Sequence, residues 1–597
     1  MNKAQERLRA ATMTILGGAL ATAVAMPAMA VDVTQARLAN SDLEAQNWLM
    51  GFQNYSSHRY SGLTQINRSN VGDLKVAYTI PLTSSLVGRK NTNSQNYPLV
   101  DNGMMYVDDS GGVYYKIDIT SGTEGVVIWT ADAGMEKDIG ARSRGIAMWA
   151  NAILHNLEDG RAVSIDRDSG EFNWDLQIAR IEGVPGSSGI NIDREGFTAA
   201  PIAVSNKLLV GNSKGDAGSN GWLAALDIET GEELWRTYMI PGPGEFGFDT
   251  WADDHNAWKT GGAGLWTTGS VDLEANVTIW GTAQPVPMFD PEFRPGDNLY
   301  TNSAVAMDLD DGHITWFFQY TPNESWDYDE QGVHILIDAP YGGTDRKMVT
   351  HYGRNGFYYQ LDRTNGDFIS ATQFVDQVNW TAGIDPKTGK PVEYDPSLAL
   401  QTYIPETRFL RGEGLNNQAA CPDFVGGVRW QPPAYNPNKR IAYSAAQDGC
   451  FILEVQGSLS LGPDGGIDRE AQGGLFGHLD ANWSGIQHFD QHGLLAAIDV
   501  TTGKVISRHR QTHPNRTGIL ATAGGLVFTG NDDGAITAHD DETLQEMWRF
   551  HTGIVIKAPP ISYSVGGKQY LAIIAGGNGG PVADRLSVGN TMYVFSL

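Results

Sequence analysis

Two aspartates stand two residues apart in the segment NESWDYDEQG, residues 323–332. Asp327 and Asp329 flank Tyr328 and follow Trp326, so the segment has the aromatic composition of a β-strand. In an extended chain alternate side chains point to the same side, which would bring both carboxylates to one place. Carboxylates held that close repel each other unless a cation lies between them or one is protonated. The pattern predicts a cation or acid–base site, with a solvated acidic turn as the alternative.

A short phrase recurs along the chain and predicts the elements that position these aspartates. It contains an apolar residue, Asp, a short polar stretch and Gly, often with Trp a few residues later. Asp and Gly favour a tight turn between two strands, and the Trp is expected to pack one unit against the next. The copies are KIDITSG (116–122, with Trp129), SIDRDSGEFNW (164–174), ALDIETGEELW (225–235), AMDLDDGHITW (306–316), QLDRTNG (360–366), AIDVTTGK (497–504) and a degraded AHDDETLQEMW (538–548).

These repeats predict an all-β fold, an eight-bladed β-propeller with tryptophan-docking-type repeats. Residues 31–597 are predicted to form this single domain. A set of unrelated β-sandwiches is the alternative, but it would not explain one shared turn phrase. The C-terminal TMYVFSL is predicted to complete a blade that begins around residues 74–82.

The first 30 residues have the order of a secretory signal peptide. Lys3, Arg7 and Arg9 precede a short apolar run, and Ala-Met-Ala at 28–30 suits cleavage after Ala30. A membrane anchor is the alternative, although glycines and Pro27 interrupt the run and it is short for a span. The sequence therefore predicts export to the periplasm without membrane insertion.

The net charge and the cysteines limit the partners, the disulfides and the haem attachment that the protein can have. The formal net charge of −27 disfavours nucleic acid and anionic membranes and suits a basic protein partner or a cation site. The only cysteines, Cys421 and Cys450, are predicted to form one disulfide in an oxidising compartment, with two buried free thiols as the alternative. No Cys-x-x-Cys-His occurs, so no covalently attached c-type haem is expected.

An ordered set of local motifs, spread over the chain after the leader, resembles one enzyme family. The chain is similar to the quinoprotein alcohol dehydrogenases, of the methanol and ethanol dehydrogenase type, which are eight-bladed and use pyrroloquinoline quinone (PQQ) and a metal ion. The motifs are SRGIAMW (143–149), FTAAPIAVSNKLLVGNSKGDAGSNGWLAALD (197–227), PGPGEFGFDTW (241–251), RPGDNLYTNSAVAMD (294–308), THYGRNGFYYQLDRTNG (350–366) and GILATAGGLVFTG (518–530).

The resemblance implies catalytic roles for two residues. Asp327 matches the general base that takes the alcohol's hydroxyl proton while hydride moves to the quinone C5 carbonyl. Arg354 matches the basic residue beside the quinone oxygens. A metal ion on the quinone would polarise that carbonyl as a Lewis acid.

The resemblance also implies a metal site at Asp216, Gln284, Asp327 and Asp329. Asp216 and Gln284 depart from the family's Glu and Asn, yet they retain the oxygen donors that a hard cation needs. Asp329 matches the extra aspartate of lanthanide-using relatives, and an added carboxylate favours a trivalent ion over Ca²⁺. The ion is expected to be a lanthanide, with Ca²⁺ as one alternative and loss of the metal as another.

Further positions match the residues that hold the cofactor. Trp266 matches the tryptophan under the flat cofactor, although a blade-core role is the alternative. The adjacent cysteines that commonly cover the quinone are replaced by Asp138 and Ile139, while Cys421 and Cys450 match a blade-stapling disulfide. The remaining cofactor positions are Gln95, Arg144, Thr198, Gly215 and Arg354.

The leading interpretation is a periplasmic PQQ-dependent dehydrogenase that oxidises a small alcohol to an aldehyde or ketone. A soluble c-type cytochrome would accept the electrons, and the acidic surface could attract a basic carrier. A dehydrogenase for polyols, sugars or polymeric alcohols is an alternative. A non-catalytic PQQ-like propeller scaffold of the cell envelope is another. The oligomeric state stays open, a homodimer included.

Overall fold

The computed structural model is all-β over the residues it describes. The predicted signal peptide, residues 1–30, and Asp138 lie outside the described residues. The described residues are 32–82, 92–137, 139–179, 195–409, 418–454, 461, 486–577, 586–587 and 589–597.

Eight sheets of four or five strands account for nearly all the regular structure described. The first sheet contains β2 (Lys75–Pro81), β33 (Ile561–Val565), β34 (Lys568–Gly576) and β35 (Asn590–Ser596). The second to fourth sheets are each consecutive in the chain: β4 (Leu99–Asp101), β5 (Met104–Asp108), β6 (Val113–Asp118), β7 (Val126–Asp132); β9 (Ala147–Trp149), β10 (Ala152–Asn156), β11 (Arg161–Asp166), β12 (Phe172–Gln177); β13 (Ile202–Val204), β14 (Lys207–Gly211), β15 (Trp222–Asp227), β16 (Glu233–Tyr238).

The fifth to eighth sheets follow the same antiparallel order. Their strands are β17 (Ser270–Asp272), β18 (Val277–Gly281), β19 (Ser303–Asp308), β20 (Ile314–Gln319); β21 (Ile335–Tyr341), β22 (Thr344–Tyr352), β23 (Phe357–Asp362), β24 (Phe368–Gln373); β25 (Ala434–Asn436), β26 (Ile441–Ile452), β27 (Gln487–Asp499), β28 (Lys504–Gln511); and β29 (Leu520–Thr522), β30 (Leu526–Gly530), β31 (Ala535–Asp540), β32 (Glu546–His551), joined by β1 (Tyr60–Ser61). A separate parallel pair links β3 (Thr92–Ser94) and β8 (Ala141–Ser143).

Helical structure is confined to short segments. The described ranges contain one α-helix, α1 (Gln35–Ala39). Six 3₁₀ turns are also present: Ser41–Leu43, Val71–Asp73, Gly215–Ala217, Phe248–Thr250, Ala257–Thr260 and Pro405–Thr407. None of the helices in these ranges has the length and apolar character needed to span a membrane.

The two ends of the chain share the first sheet. β2 pairs antiparallel with β35, with Lys75 opposite Ser596 and Pro81 opposite Thr591. The prediction that the C-terminal strand completes a unit begun near residues 74–82 is confirmed.

The repeated phrase forms the turn between the third and fourth strands of the other seven sheets. In AMDLDDGHITW the Asp308 carboxylate accepts the backbone N–H of Asp310, and Gly312 has φ +76°. Each copy carries a register shift just before its Asp, for example between Ala306 and Met307. Asp fixes the turn and Gly supplies the left-handed conformation, as predicted from the phrase.

The tryptophan of one unit docks on the turn of the next. Trp235 Nε1 donates to the carbonyl of Leu309 at 3.2 Å, one residue after Asp308. The same bond recurs at three other junctions: Trp129 to Arg167, Trp174 to Ile228 and Trp316 to Arg363. The prediction that these tryptophans pack consecutive units together is confirmed.

Gly312→Ala is expected to destabilise the fold by about 3 kcal/mol. The left-handed conformation costs an L-residue about 1–2 kcal/mol, and the added Cβ would lie 2.4 Å from Trp235 Cε3. Gly343→Ala is the matched control, because Gly343 has φ +85° with no atom within 4 Å of its Cβ position. Urea unfolding of both variants separates steric from conformational cost. Equal losses of unfolding free energy in Gly312→Ala and Gly343→Ala would contradict tight docking of Trp235 on this turn.

Candidate active site

The segment that carries Asp327 and Asp329 is a loop between β20 and β21. The expectation of an extended, strand-like backbone is wrong, because Asp327 has φ +64° and the segment makes no strand pairing. Glu324 causes the difference: its Oε1 accepts the N–H groups of Trp326 and Tyr328, the latter at 3.0 Å, and folds the loop around itself. Tyr328 Oη then donates to the carbonyl of Pro422 at 2.6 Å.

Arg354 nevertheless joins the two carboxylates, so both face one place as expected. Its Nη2 donates to Asp327 Oδ2 at 3.0 Å, and its Nη1 forms an ion pair with Asp329 Oδ2. The guanidinium is fully buried and also donates to the carbonyl of Phe424. The disulfide Cys421–Cys450, confirmed by the structure, anchors the segment that carries Phe424. The solvated acidic turn is excluded, since Asp327 and Asp329 are 6% and 3% exposed.

Residues of the long connection between β24 and β25 pack behind the aspartate loop. Trp380 and Tyr403 contact Trp326, with ring centroids 5.2 and 5.6 Å away. Trp326 Nε1 donates to the carbonyl of Thr407, and Trp380 Nε1 to that of Asn355, both at 3.0 Å. The described residues of this connection therefore form a buried aromatic support for Trp326, the residue before Asp327.

Asp216 and Gln284 connect to the same carboxylates. The backbone N–H of Gln284 donates to Asp329 Oδ1 at 3.0 Å, and its Nε2 donates to Asp216 Oδ1 at 2.7 Å. Gln284 Oε1 is buried without a hydrogen-bond partner. Carboxylates beside an unpartnered amide oxygen are the donors that a hard cation prefers, so these residues fit a metal ion. Asp216 and Gln284 differ from the family's Glu and Asn, but they remain hydrogen-bonded to each other and to Asp329.

A cavity of about 320 Å³ opens onto this cluster. Asp216, Asp327 and Asp329 line it. The cofactor candidates Gln95, Arg144, Thr198 and Trp266 line it as well, with Asn93, Arg142, Ser213, Phe424, Val425, Arg429, Trp430, Arg516 and Lys557. Gly215 lies outside the lining: a Cβ there would meet the backbone N of Gly264 at 2.9 Å, so it acts through close packing.

Arg144 is held in place at one side of the cavity. Its Nη1 donates to Thr198 Oγ1 at 2.6 Å and to the Trp266 carbonyl at 2.7 Å. Its guanidinium lies 4.6 Å from the centroid of the Trp266 ring. Trp266 is therefore at the cavity and not in a sheet core. Ile139, one of the two residues at the position of the family's cysteine pair, packs at the edge of the hydrophobic core.

Four cations of the cavity were missed by the sequence analysis: Arg142, Arg429, Arg516 and Lys557. Burial lowers the pKa of Lys557 to about 7, and Arg516 adds to the shift. Burial likewise lowers the pKa of Arg429 to about 9, with a contribution from Arg354. Burial and neighbouring cations thus disfavour the charged forms of these groups, and a ligand with several carboxylates, such as PQQ, would compensate them.

A positional signal could have found these residues. In each sheet a cavity residue stands a few positions before the strand that begins the run of consecutive strands, including Arg429 before β25, Arg516 before β29 and Lys557 before β33. The repeats locate those strands, so their preceding residues could have been collected from the sequence. The others are Gln95 before β4, Arg144 before β9, Thr198 before β13, Trp266 before β17 and Asp329 before β21.

The environment of the aspartates suits proton transfer. Burial raises the pKa of Asp327 well above its usual value; Arg354 opposes this shift, and Asp329 adds to it. Burial also raises the pKa of Asp329 to about 6, again against the charge of Arg354. A carboxylate with a raised pKa is a stronger proton acceptor than an exposed one.

Comparison with known proteins identifies the family of the chain. The family profile described as "PQQ: Glucose/ethanol/alcohol dehydrogenase, beta-propeller domain" matches residues 48–375 and 478–571. The quinoprotein alcohol dehydrogenase PedH of Pseudomonas putida is 32% identical over 575 residues, covering 90% of this chain and 89% of that protein. The quinohemoprotein alcohol dehydrogenase of Comamonas testosteroni is 32% identical over 88% of this chain and 72% of that protein.

Solved structures give the same result. A europium-containing methanol dehydrogenase superposes with a TM-score of 0.80 at 26% identity, covering 94% of this chain and all of that one. The crystal structure of the Comamonas testosteroni enzyme gives a TM-score of 0.81 at 30% identity, over 94% of this chain and 82% of that one. The chain therefore belongs to the β-propeller family of PQQ-dependent quinoprotein alcohol dehydrogenases, oxidoreductases that act on CH–OH donors.

Proposed function

We propose that this protein is a periplasmic quinoprotein dehydrogenase that oxidises a primary or secondary alcohol to an aldehyde or ketone, with Asp327 as general base. The observation that carries the proposal is the pairing of Arg354 with both Asp327 and Asp329 at the wall of a cation-lined cavity. The family membership supports alcohol as the substrate class.

Asp327 takes the hydroxyl proton of the alcohol. Its Oδ2 accepts Arg354 Nη2, while Oδ1 has no hydrogen-bond partner among the described residues, so Oδ1 is the atom that would receive the proton. Arg354 holds the carboxylate ionised and oriented, which opposes the raised pKa that burial imposes. PQQ, when bound, supplies the acceptor for the two electrons and the hydrogen of the alcohol carbon.

Arg144, Thr198, Trp266 and Gln95 would hold the cofactor. Arg144 presents a rigid fork to carboxylates, and Trp266 offers a flat face for stacking. Arg429 and Lys557, which also line the cavity, would balance the remaining carboxylates of PQQ. At least one cavity residue precedes the run of consecutive strands in each of the eight sheets, which supports eight blades closed around this cofactor.

Asp216, Gln284, Asp327 and Asp329 would hold one metal ion, which would supply Lewis-acid chemistry to the reaction. Three carboxylates favour a trivalent lanthanide over Ca²⁺ on Coulomb grounds. The structural likeness to a europium-containing methanol dehydrogenase supports this choice.

Electrons would leave to a separate soluble cytochrome c. Both cysteines of the chain are in the disulfide, so none is available to attach a c-type haem. The net charge of −27 would attract a basic carrier at low ionic strength. The leader at residues 1–30 supports a periplasmic location, where such carriers operate.

Reconstitution tests this function. Purified protein should be loaded with PQQ and either La³⁺ or Ca²⁺, then assayed for dye reduction with a panel of primary alcohols, secondary alcohols, polyols and sugars. We expect activity that requires both PQQ and metal, greater with La³⁺, and highest on one class of the panel. Absence of activity with every metal and substrate would contradict an enzyme and favour the scaffold.

Arg144→Lys is expected to weaken PQQ binding about 10-fold or more. Thr198 and the Trp266 carbonyl hold one nitrogen of the Arg144 guanidinium, Nη1. Lys keeps the charge but lacks the planar group that pairs with a carboxylate through two nitrogens. Quenching of tryptophan fluorescence by added PQQ measures the affinity. Arg236→Lys is the matched control, since Arg236 also stacks on a tryptophan, 3.7 Å from the Trp222 centroid, but away from the cavity. Equal PQQ affinity in all three proteins would argue against Arg144 as a cofactor residue.

A further inference from the structure

A second group of potential ligands lies outside the active cavity, where the sixth and seventh sheets meet. Asp448 of β26 and His492 of β27 are directly opposite each other in the antiparallel ladder. Asp376 follows β24 of the sixth sheet, and its backbone N–H donates to Asp448 Oδ2 at 2.5 Å. One oxygen from each carboxylate and one ring nitrogen of His492 all lie within 4.8 Å of one another.

The hydrogen bonding of His492 leaves a lone pair directed at these carboxylates. Its Nδ1 lies 2.7 Å from the carbonyl oxygen of Asp490, which can only accept, so Nδ1 carries the hydrogen. In the neutral ring Nε2 is then an acceptor. It is buried, makes no hydrogen bond, and lies 3.5 Å from Asp376 Oδ2 and 3.9 Å from Asp448 Oδ2. Three acceptors facing one another are stable only with a cation between them or a proton on one of them, and a metal ion satisfies all three at once.

We propose that Asp376, Asp448 and His492 form a second metal site, specific for a divalent transition ion of the zinc class. Two carboxylates neutralise a divalent charge, and an imidazole ligand favours Zn²⁺ over the hard cations of the all-oxygen active cavity. A tetrahedral ion with bonds of about 2.0–2.1 Å holds its ligand atoms about 3.3 Å apart. The separations of 3.5 and 3.9 Å between His492 Nε2 and the two carboxylate oxygens need only a small contraction. The side chain of Asp376 is 37% exposed, which leaves an entry path and a place for water.

The site would act as a structural clamp. Asp448 lies two residues before Cys450, whose disulfide partner Cys421 begins the segment that presents the Phe424 carbonyl to Arg354. An ion bound here would tie the exit of the sixth sheet to both long strands of the seventh. Arg510, paired with Asp490 at 2.8 Å, would support the carbonyl that orients His492.

Zinc and cobalt binding test the proposal independently of alcohol oxidation. Chelator-treated protein is titrated with Zn²⁺ by calorimetry and with Co²⁺ by visible absorption, for wild type, Asp376→Asn, His492→Gln and Asp329→Asn. We expect one equivalent of Zn²⁺ and Co²⁺ d–d bands in wild type and in Asp329→Asn, and loss of both in the other two variants. Asp376→Asn changes a partly exposed group and should keep the metal-free melting temperature.

Two results would overturn the proposal. One is unchanged Zn²⁺ stoichiometry in Asp376→Asn. The other is a wild-type protein without Co²⁺ bands whose melting temperature rises on acidification and ignores added Zn²⁺. That behaviour would mean that a protonated His492 pairs with the two carboxylates without a metal.

Discussion

Asp327→Asn is expected to lower kcat for alcohol oxidation by about 10²–10⁴-fold, the usual contribution of a positioned general base. Asn has the same shape but cannot take the hydroxyl proton. Arg354 retains Asp329 as an ion-pair partner, so the cavity should keep its form. Steady-state kinetics at saturating PQQ and metal measure the effect, because weaker metal binding is then compensated by concentration.

A matched variant separates lost base function from lost ion pairing. Asp272→Asn removes the carboxylate from another buried pair, in which Arg363 Nε lies 2.6 Å from Asp272 Oδ2, away from the cavity. It should lower stability but leave kcat unchanged. A kcat of Asp327→Asn within tenfold of wild type would remove Asp327 from the role of base.

Asp329→Ala is expected to weaken lanthanide binding about 10²–10³-fold more than Ca²⁺ binding. At about 4 Å and an effective dielectric constant of about 20, one carboxylate attracts each unit of ion charge by roughly 4 kcal/mol. A trivalent ion therefore loses about that much more than a divalent ion. Tb³⁺ luminescence, titrated directly and in competition with Ca²⁺, measures the two affinities without relying on turnover.

The control for this experiment is Asp311→Ala. Asp311 belongs to an exposed cluster with Asp308 and His313, so its removal reports non-specific Tb³⁺ binding to acidic surface. The ratio of Tb³⁺ to Ca²⁺ affinity should not change in this variant. An unchanged ratio in Asp329→Ala would show that Asp329 does not select a trivalent ion.

The sequence predicts the fold well because each structural unit carries its own local signal. Asp308 and Gly312 specify one turn, and Trp235 reaches the next turn through a contact that recurs at several junctions. The pairing of the two chain ends in the first sheet is also predictable, because a ring of such units has to be closed by its last strand. Local chemistry repeated along the chain is what an isolated sequence displays most clearly.

The active site is predicted less completely because its geometry depends on long-range contacts. The pairing of Asp327 and Asp329 follows from their spacing, but the backbone that achieves it depends on the Glu324 carboxylate, which turns the expected strand into a loop. Arg429, Arg516 and Lys557 are separate cations in three segments, and only the fold brings them to one cavity. The buried support from Trp380 and Tyr403 is equally non-local.

The central claim is that the aspartate loop supplies both the base and a metal ligand to one cofactor site. Anomalous scattering from crystals grown with PQQ and a lanthanide tests it directly. We predict one strong peak beside PQQ, about 2.3–2.6 Å from oxygens of Asp216, Gln284, Asp327 and Asp329. A cavity without a lanthanide peak, with Arg354 alone bridging Asp327 and Asp329, would contradict it.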